Sequence, residues 1–217
     1  VSDTVRDALL QGLRIEARTG ANPFKYGILA STDTHLGTPG ATQEELYLGH
    51  GGAGVPAAET VPEGLPDDLE FNPGGLAVLW AEENSRESLF AAMRRREAYG
   101  TSGTRPVLRF FGGWQHPDHL CDRPDFAAVG YASGVPMGGD LPAAPAEAGA
   151  PSFAVLAIAD PGTERHAGTP LQRLQIVKGW LDGDEVREAV YDVAGDAESG
   201  ATVDLATCTP RGTGART

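Results

Sequence analysis

Residues 26–35 read YGILASTDTH, an apolar run that ends in the triplet Asp33-Thr34-His35. Residues 26–31 lack the alternation of a half-exposed strand and predict a strand buried on both faces, as in parallel sheets. Residues 3–19 carry apolar side chains at helical spacing, with Ser2 or Asp3 to cap the start and Gly20 to end the helix. A helix, a tight turn and a buried strand make one repeat of an α/β fold.

The same kind of pattern continues after the triplet. Residues 36–72 are rich in Gly, Pro, Ala, Glu and Thr, and predict a long loop of the kind that often forms a lid or a binding loop. Residues 75–81 predict a second buried strand, and residues 85–99 predict a helix that is capped at Asn84. We therefore place residues 1–104 in an α/β domain.

The pattern changes after Arg105. Short apolar or alternating runs recur between Gly, Pro and Asp turns, at residues 107–111, 151–159, 171–180, 186–193 and 202–205. Several short strands without helices predict an all-β sandwich. We expect residues 105–217 to form an Ig-like β-sandwich, so that the chain is α/β followed by all-β.

The triplet Asp33-Thr34-His35 lies just beyond the C-terminal end of the first predicted strand, where α/β barrels collect their functional groups. On an extended backbone, Asp33 and His35 face the same side and can share one cation. Carboxylate oxygen and imidazole nitrogen suit zinc, manganese or iron, and such a metal makes a bound water nucleophilic near neutral pH. The alternative is that Asp33 caps a loop, because Asp-x-His triplets also occur by chance.

Two further residues are candidates for proton transfer. His50 lies among glycines, which suits a mobile lid over a site, and the alternative is an exposed loop histidine. Glu82 follows the strand 75–81 and is expected at the same functional rim. Its alternative role is a charge that favours the start of the next helix.

A histidine-rich loop resembles a loose ligand cluster but fits no metal signature. His116 and His119 have Asp118 and Asp122 nearby. Their spacing matches none of the common zinc patterns, and the surrounding residues predict a surface loop. We therefore expect a structural or solvated role for these side chains.

Composition excludes two classes of partner. The net charge of -13 argues against a nucleic-acid-binding surface, which needs clustered Lys and Arg. No apolar run approaches the length of a membrane span. The chain opens inside the first predicted helix without an initiator Met or a signal peptide, and we expect it to be a fragment or a processed product.

Several blocks of the sequence resemble a known superfamily. Residues 31–35 resemble the closing metal motif of the PHP (polymerase and histidinol phosphatase) superfamily, a strand ending in Ser-Asp-x-His, with Thr32 inserted here. Other blocks resemble a bacterial PHP-like family of unknown function, similar to carbaryl-hydrolase-like proteins. These blocks are residues 72–76, 80–84, 95–103, 109–114, 134–141 and 171–180.

The resemblance implies a distorted (β/α) barrel that uses divalent metals to hydrolyse an ester or phosphoester, with Asp33 and His35 as ligands. The superfamily opens with a His-x-His motif that this sequence lacks. We therefore expect the C-terminal part of a barrel, with its missing N-terminal part or a second copy in a homo-oligomer as partner. The resemblance also implies an extracytoplasmic, disulfide-using parent for Cys121 and Cys208.

Two functions follow as hypotheses. The first is a metal-dependent hydrolase that acts on a small-molecule phosphoester, ester or carbamate by metal-activated water. The alternative is a non-catalytic binding or assembly module, in which the β-sandwich contacts a protein or a glycan. A groove lined by Trp114 and Trp180 would favour ligand binding by the sandwich, and burial of both side chains would argue against it.

Overall fold

A computed structural model describes residues 4–32, 74–165, 167–168, 170–195, 202–204, 206–207 and 209–211. The chain divides into two compact units, Val1–Tyr26 with Pro170–Thr217 and Gly27–Thr169. These units contain other residues than the predicted domains 1–104 and 105–217. The predicted domain boundary near residues 104–105 stays a prediction.

The described elements are helices and short strands. The helices are α1 (Val5–Thr19), α2 (Arg86–Arg95) and α3 (Phe126–Ser133), with a 3-10 turn at Leu120–Asp122. The strands are β1 (Ala77–Leu79), β2 (Ala98–Gly100), β3 (Val107–Gly113), β4 (Val135–Pro136), β5 (Ser152–Ile158), β6 (Arg173–Asp182), β7 (Glu185–Gly195), β8 (Thr202–Asp204) and β9 (Thr209–Arg211). No helix of the described residues is long and apolar enough to cross a membrane, in agreement with the sequence.

All the described sheets are small and antiparallel. β1 pairs with β2, β3 lies between β4 and β5, β6 pairs with β7, and β8 pairs with β9. The fold is therefore mixed α/β with a strand-rich C-terminal part, and the described strands close no barrel. The strand predicted at 75–81 is present as β1, but its partner is the antiparallel β2 and not a parallel strand.

In the first unit, α1 packs on the β6–β7 hairpin. Thr4 caps the helix by accepting a hydrogen bond from the Asp7 backbone N–H, and the Asp7 carboxylate accepts from the Thr4 backbone in return. Gly20 ends it with φ 78°, a left-handed conformation that favours glycine. A Cβ at Gly179 would lie 2.5 Å from Leu10 Cδ2, so glycine lets the helix lie close to β6. The predicted helix is confirmed, with Thr4 as its cap in place of Ser2 or Asp3.

The apolar run 26–31 is not a strand. Ile28 and Leu29 are about half exposed, and the run makes no ladder with any strand in the described ranges. Its backbone lies close to two glycines instead. A Cβ at Gly100 would lie 2.6 Å from the Ala30 nitrogen, and one at Gly75 would lie 2.6 Å from the Ser31 oxygen. An apolar run alone does not separate a paired strand from an extended segment held by such close approaches.

The core of the second unit lies between α3 and the β4–β3–β5 sheet. Phe111 on β3 packs edge-on against Phe126 and Tyr131 of α3, and Leu120 and Ala154 complete the buried cluster. The presence of α3 corrects the prediction that residues 105–217 lack helices. Its sequence FAAVGYAS is apolar on nearly all sides and therefore has no helical periodicity to detect.

The helix predicted over 85–99 is shorter in the structure. Ser85, not Asn84, caps α2 by accepting a hydrogen bond from the Ser88 backbone N–H. Arg96 adopts a left-handed conformation with φ 60° and ends the helix, and the chain then turns into β2. This turn brings Glu97 back beside Trp80, whose backbone N–H donates to the Glu97 carbonyl oxygen at 3.0 Å.

Candidate functional site

An open cavity of about 580 Å³ lies in the second unit, at the end of β1. Helices α2 and α3 and strands β3 and β4 each supply one residue of its wall. Its lining consists of Trp80, Ala81, Glu82, Arg95, Glu97, Arg109, Tyr131 and Pro136. A cavity of this volume has the size of a small-molecule site.

Glu97 is a buried carboxylate that is fully partnered. Its side chain is 4% exposed. One carboxylate oxygen accepts hydrogen bonds from Nε and Nη2 of Arg95, each at 3.3 Å. The other oxygen accepts from the Tyr131 hydroxyl. Since a buried charge is costly unless it is paired, Arg95 and Glu97 are best understood as a mutually neutralising pair at the cavity wall.

Tyr131 links this pair to a second arginine. Burial raises the pKa of the Tyr131 hydroxyl, and its hydrogen bond to the Glu97 carboxylate raises that pKa further. The hydroxyl therefore stays protonated at neutral pH and donates to Glu97. Its oxygen remains free to accept, and it takes a hydrogen bond from Nη1 of Arg109 at 2.8 Å.

The guanidinium of Arg109 lies over an aromatic ring. Its guanidinium carbon lies 3.2 Å from the centroid of the Trp80 ring. The Trp80 ring is itself fixed, because its Nε1–H donates to the Leu108 carbonyl oxygen at 3.1 Å. Stacking of this kind orients a guanidinium and contributes about 0.5–2 kcal/mol. None of the described carboxylates pairs with Arg109, in contrast to Arg95.

Glu82 is the predicted site residue that the structure describes. It is exposed and lines the cavity, in the turn between β1 and α2. The backbone N–H groups of Glu82 and Glu83 donate to the Ser88 hydroxyl at 3.1 and 3.3 Å, which fastens this turn to α2. Glu82 thus lies just beyond β1 at a cavity, while its place at a functional rim and its role in proton transfer stay predictions.

Asp33, His35 and His50 lie outside the described residues, as does the predicted loop 36–72. The metal site with zinc, manganese or iron therefore stays a prediction. Within the described ranges, no group of three or more His, Cys, Asp or Glu side chains is placed to hold a metal ion. Thr32, the residue directly before the triplet, is buried.

The two histidines of the histidine-rich loop have different surroundings. His119 is 85% exposed and pairs with Asp122 at 3.4 Å. His116 is half-buried, and its Nδ1 lies 2.8 Å from the Ser133 hydroxyl oxygen. Cys121 is exposed with a free thiol, and Cys208 lies outside the described residues.

Trp114 and Trp180 belong to different compact units. Trp114 is half-buried, and its Nε1–H donates to the Pro142 carbonyl oxygen at 2.9 Å. Trp180 is also half-buried and has the Lys178 ammonium 5.1 Å from its ring centroid. Neither ring is fully buried, so the binding-module hypothesis stays a prediction.

Sequence reasoning did not single out three of the polar residues that line the cavity: Glu97, Arg109 and Tyr131. A signal for Arg109 was present, because it is a charged residue within the apolar run 107–111. A cation in such a run needs a specific partner, here Trp80 and Tyr131. Glu97 follows three consecutive arginines and gave no comparable signal.

Comparison with known proteins places the chain in a family without giving it an activity. A search of the curated proteins finds no match, and neither does a search of the solved structures. One family model, described as a protein of unknown function (DUF3604), matches residues 1–215. Because this match covers nearly the whole sequence, the chain belongs to the DUF3604 family.

Proposed function

We propose that this protein is the C-terminal part of a PHP-type, metal-dependent hydrolase that acts on a small-molecule phosphoester, ester or carbamate. The observation that carries the proposal is the triplet Asp33-Thr34-His35, which follows directly on the buried Thr32. Close contacts of Ala30 with Gly100 and of Ser31 with Gly75 hold the chain immediately before the triplet. A ligand pair that follows a fixed segment is better preorganised than one within a free loop.

The donor set fits a divalent transition metal. The Asp33 carboxylate and the His35 imidazole would hold zinc, manganese or iron, with further ligands from elsewhere. When bound, such a metal supplies a water that is nucleophilic near neutral pH. Glu82 or His50 would accept or return a proton, and the described position of Glu82 at the cavity rim is compatible with that role.

The proposal includes the finer architecture and the partners. Residues 1–104 would complete a PHP-type barrel with its N-terminal part or with a second copy of the chain. Residues 105–217 would form the β-sandwich. The cavity beside Glu82 is large enough to admit a small ester.

The first test is the metal content of the purified chain, measured by elemental mass spectrometry. The wild type is compared with an Asp33→Ala/His35→Ala double variant. We expect near-stoichiometric zinc, manganese or iron in the wild type and its loss in the double variant. A His119→Ala/Asp122→Ala variant is the matched control, because it removes an exposed imidazole–carboxylate pair elsewhere and should leave the metal content unchanged.

A chain without metal in either form would contradict a self-sufficient site at the triplet. The binding-module alternative would then take precedence for this chain. Metal that remains bound to the double variant would place the site on other residues and would overturn the proposed roles of Asp33 and His35.

A further inference from the structure

The cavity contains two arginines in different electrostatic states. Arg95 donates from Nε and Nη2 to the buried Glu97 carboxylate, so its charge is neutralised within the wall. Arg109 lines the same cavity and contacts only a neutral hydroxyl and two aromatic rings among the described residues. Arg109 therefore carries a full positive charge without a described counter-ion.

The hydrogen bonding of Tyr131 keeps Arg109 in that state. The Tyr131 proton is directed to Glu97, so the hydroxyl oxygen offers Arg109 a lone pair but no negative charge. The raised pKa of Tyr131 opposes formation of a phenolate that would neutralise the guanidinium. Glu97 is thus linked to Arg109 through a neutral group and does not pair with it directly.

The guanidinium is also preorganised. Its carbon lies over the Trp80 ring, and its Nη1 donates to the Tyr131 hydroxyl oxygen. A guanidinium offers five donors in a planar fork, which matches the two oxygens of a carboxylate or phosphate. A half-buried cation with unused donors on a cavity is stabilised by an anion that enters the cavity.

We propose that this cavity binds a small ligand through an oxyanion, a carboxylate or a phosphate monoester, with Arg109 as the anchoring residue. The volume of about 580 Å³ leaves room for an apolar body beside the anionic group. Pro136 and the ring of Tyr131 supply apolar surface for that body. The hydrolase proposal places its substrate in the same cavity, but binding of an oxyanion is tested separately from it, because that binding requires neither a metal nor turnover.

The test is titration calorimetry on the whole chain with three probes that share one ring. Phenyl phosphate and benzoate carry the two oxyanions, and benzamide is the neutral control. We expect binding of at least one anion and weaker or no binding of benzamide. Phenyl phosphate alone would identify a phosphate site, and benzoate alone would identify a carboxylate site. Absence of binding by both anions, or equal binding of benzamide, would overturn the proposal.

The matched variants are Arg109→Gln and Arg94→Gln. Both remove one positive charge from the chain, but Arg94 is exposed near the end of α2 and does not line the cavity. We expect Arg109→Gln to weaken anion binding by about tenfold or more, since a hydrogen-bonded charge is lost. Arg94→Gln should change the affinity less than about twofold. If the two variants weakened binding equally, binding would depend on the overall charge of the chain and not on Arg109. That result would contradict the proposed site.

A measurement on the unmodified sequence covers the case in which Arg109→Gln does not fold. Phenylglyoxal modifies accessible arginines, and peptide mass spectrometry reports the modified positions. We expect saturating ligand to protect Arg109 severalfold and to leave Arg94 unprotected. Equal modification of Arg109 with and without ligand would place the ligand elsewhere and overturn the assignment.

Discussion

His116 is a half-buried imidazole whose two ring nitrogens have different environments. Nδ1 lies 2.8 Å from the Ser133 hydroxyl oxygen, and that hydroxyl donates to the Val129 carbonyl oxygen at 2.8 Å. The hydroxyl must therefore accept, so Nδ1 carries the proton. Nε2 is buried without a hydrogen-bond partner among the described residues. Burial lowers the pKa of His116 below its ordinary value of 6.5.

The lowered pKa makes the stability of the fold depend on pH. As pH falls below 6.5, the unfolded chain binds a proton at His116 while the folded chain does not, so the free energy of unfolding falls. The slope for one proton is at most about 1.4 kcal/mol per pH unit. We compare urea unfolding at pH values about one unit above and below that ordinary value. Between these two pH values, the free energy of unfolding should fall less for His116→Gln than for the wild type.

His119→Gln is the matched control, because His119 is 85% exposed. This variant should retain the wild-type pH dependence. The same dependence in the wild type and in His116→Gln would show that other groups determine the loss of stability.

At the residue scale, the sequence identified a candidate residue more readily than the side chains that surround it in the fold. Glu82 was predicted at a functional rim and does line a cavity. The neighbours that determine its surroundings are far away in sequence, with Arg109 on β3 and Tyr131 on α3. The raised pKa of Tyr131 depends partly on its contact with Glu97, which no local pattern encodes.

At the element scale, α3 depends on a glycine in its middle. Gly130 is buried, and a Cβ there would lie 2.5 Å from Cδ2 of Phe111. Phe111 is fully buried in the core, so it has little room to move. Alanine is a better helix former than glycine by about 1 kcal/mol, but overpacking a core costs about 1–3 kcal/mol. The steric cost should therefore exceed the gain in helix propensity.

We predict that Gly130→Ala lowers the free energy of unfolding by about 1–2 kcal/mol, measured by urea denaturation. Gly149→Ala is the control, since no atom lies within 4 Å of a Cβ at that position. Its effect should stay within about 0.5 kcal/mol. A Gly130→Ala protein as stable as the wild type would contradict the close packing of α3 on β3.

The elements that the sequence predicted well are those with a clear period or a clear end. The alternation within 171–193 became the β6–β7 hairpin, which turns at Gly183 with φ 61°. The helix α1 has apolar spacing and a terminal glycine, and it was predicted correctly apart from its cap. The structures of the run 26–31 and of helix α3 were not predicted correctly. An apolar segment without polar positions has no period that identifies its structure.

At the scale of the whole molecule, the dominant electrostatic feature is the net charge of -13. Attractive pairs are present, for example Arg6 with Glu188 at 3.1 Å and Arg187 with Glu185 at 2.8 Å. Exposed pairs of this kind contribute about 0–1 kcal/mol each. Repulsion among the excess carboxylates acts over the whole surface and destabilises the compact state. Repulsion should therefore exceed attraction at neutral pH.

This balance predicts the response of stability to salt. The Debye length falls from about 30 Å at 0.01 M to about 8 Å at 0.15 M, which screens distant repulsions more than contacts of about 3 Å. We expect the urea midpoint at pH 7 to rise between these NaCl concentrations. Near pH 4.7, where the net charge is close to zero, the rise should shrink or reverse, because only the attractive pairs remain to be screened. A midpoint that falls with salt at pH 7 would show that the ion pairs, and not the excess charge, govern the electrostatics of this fold.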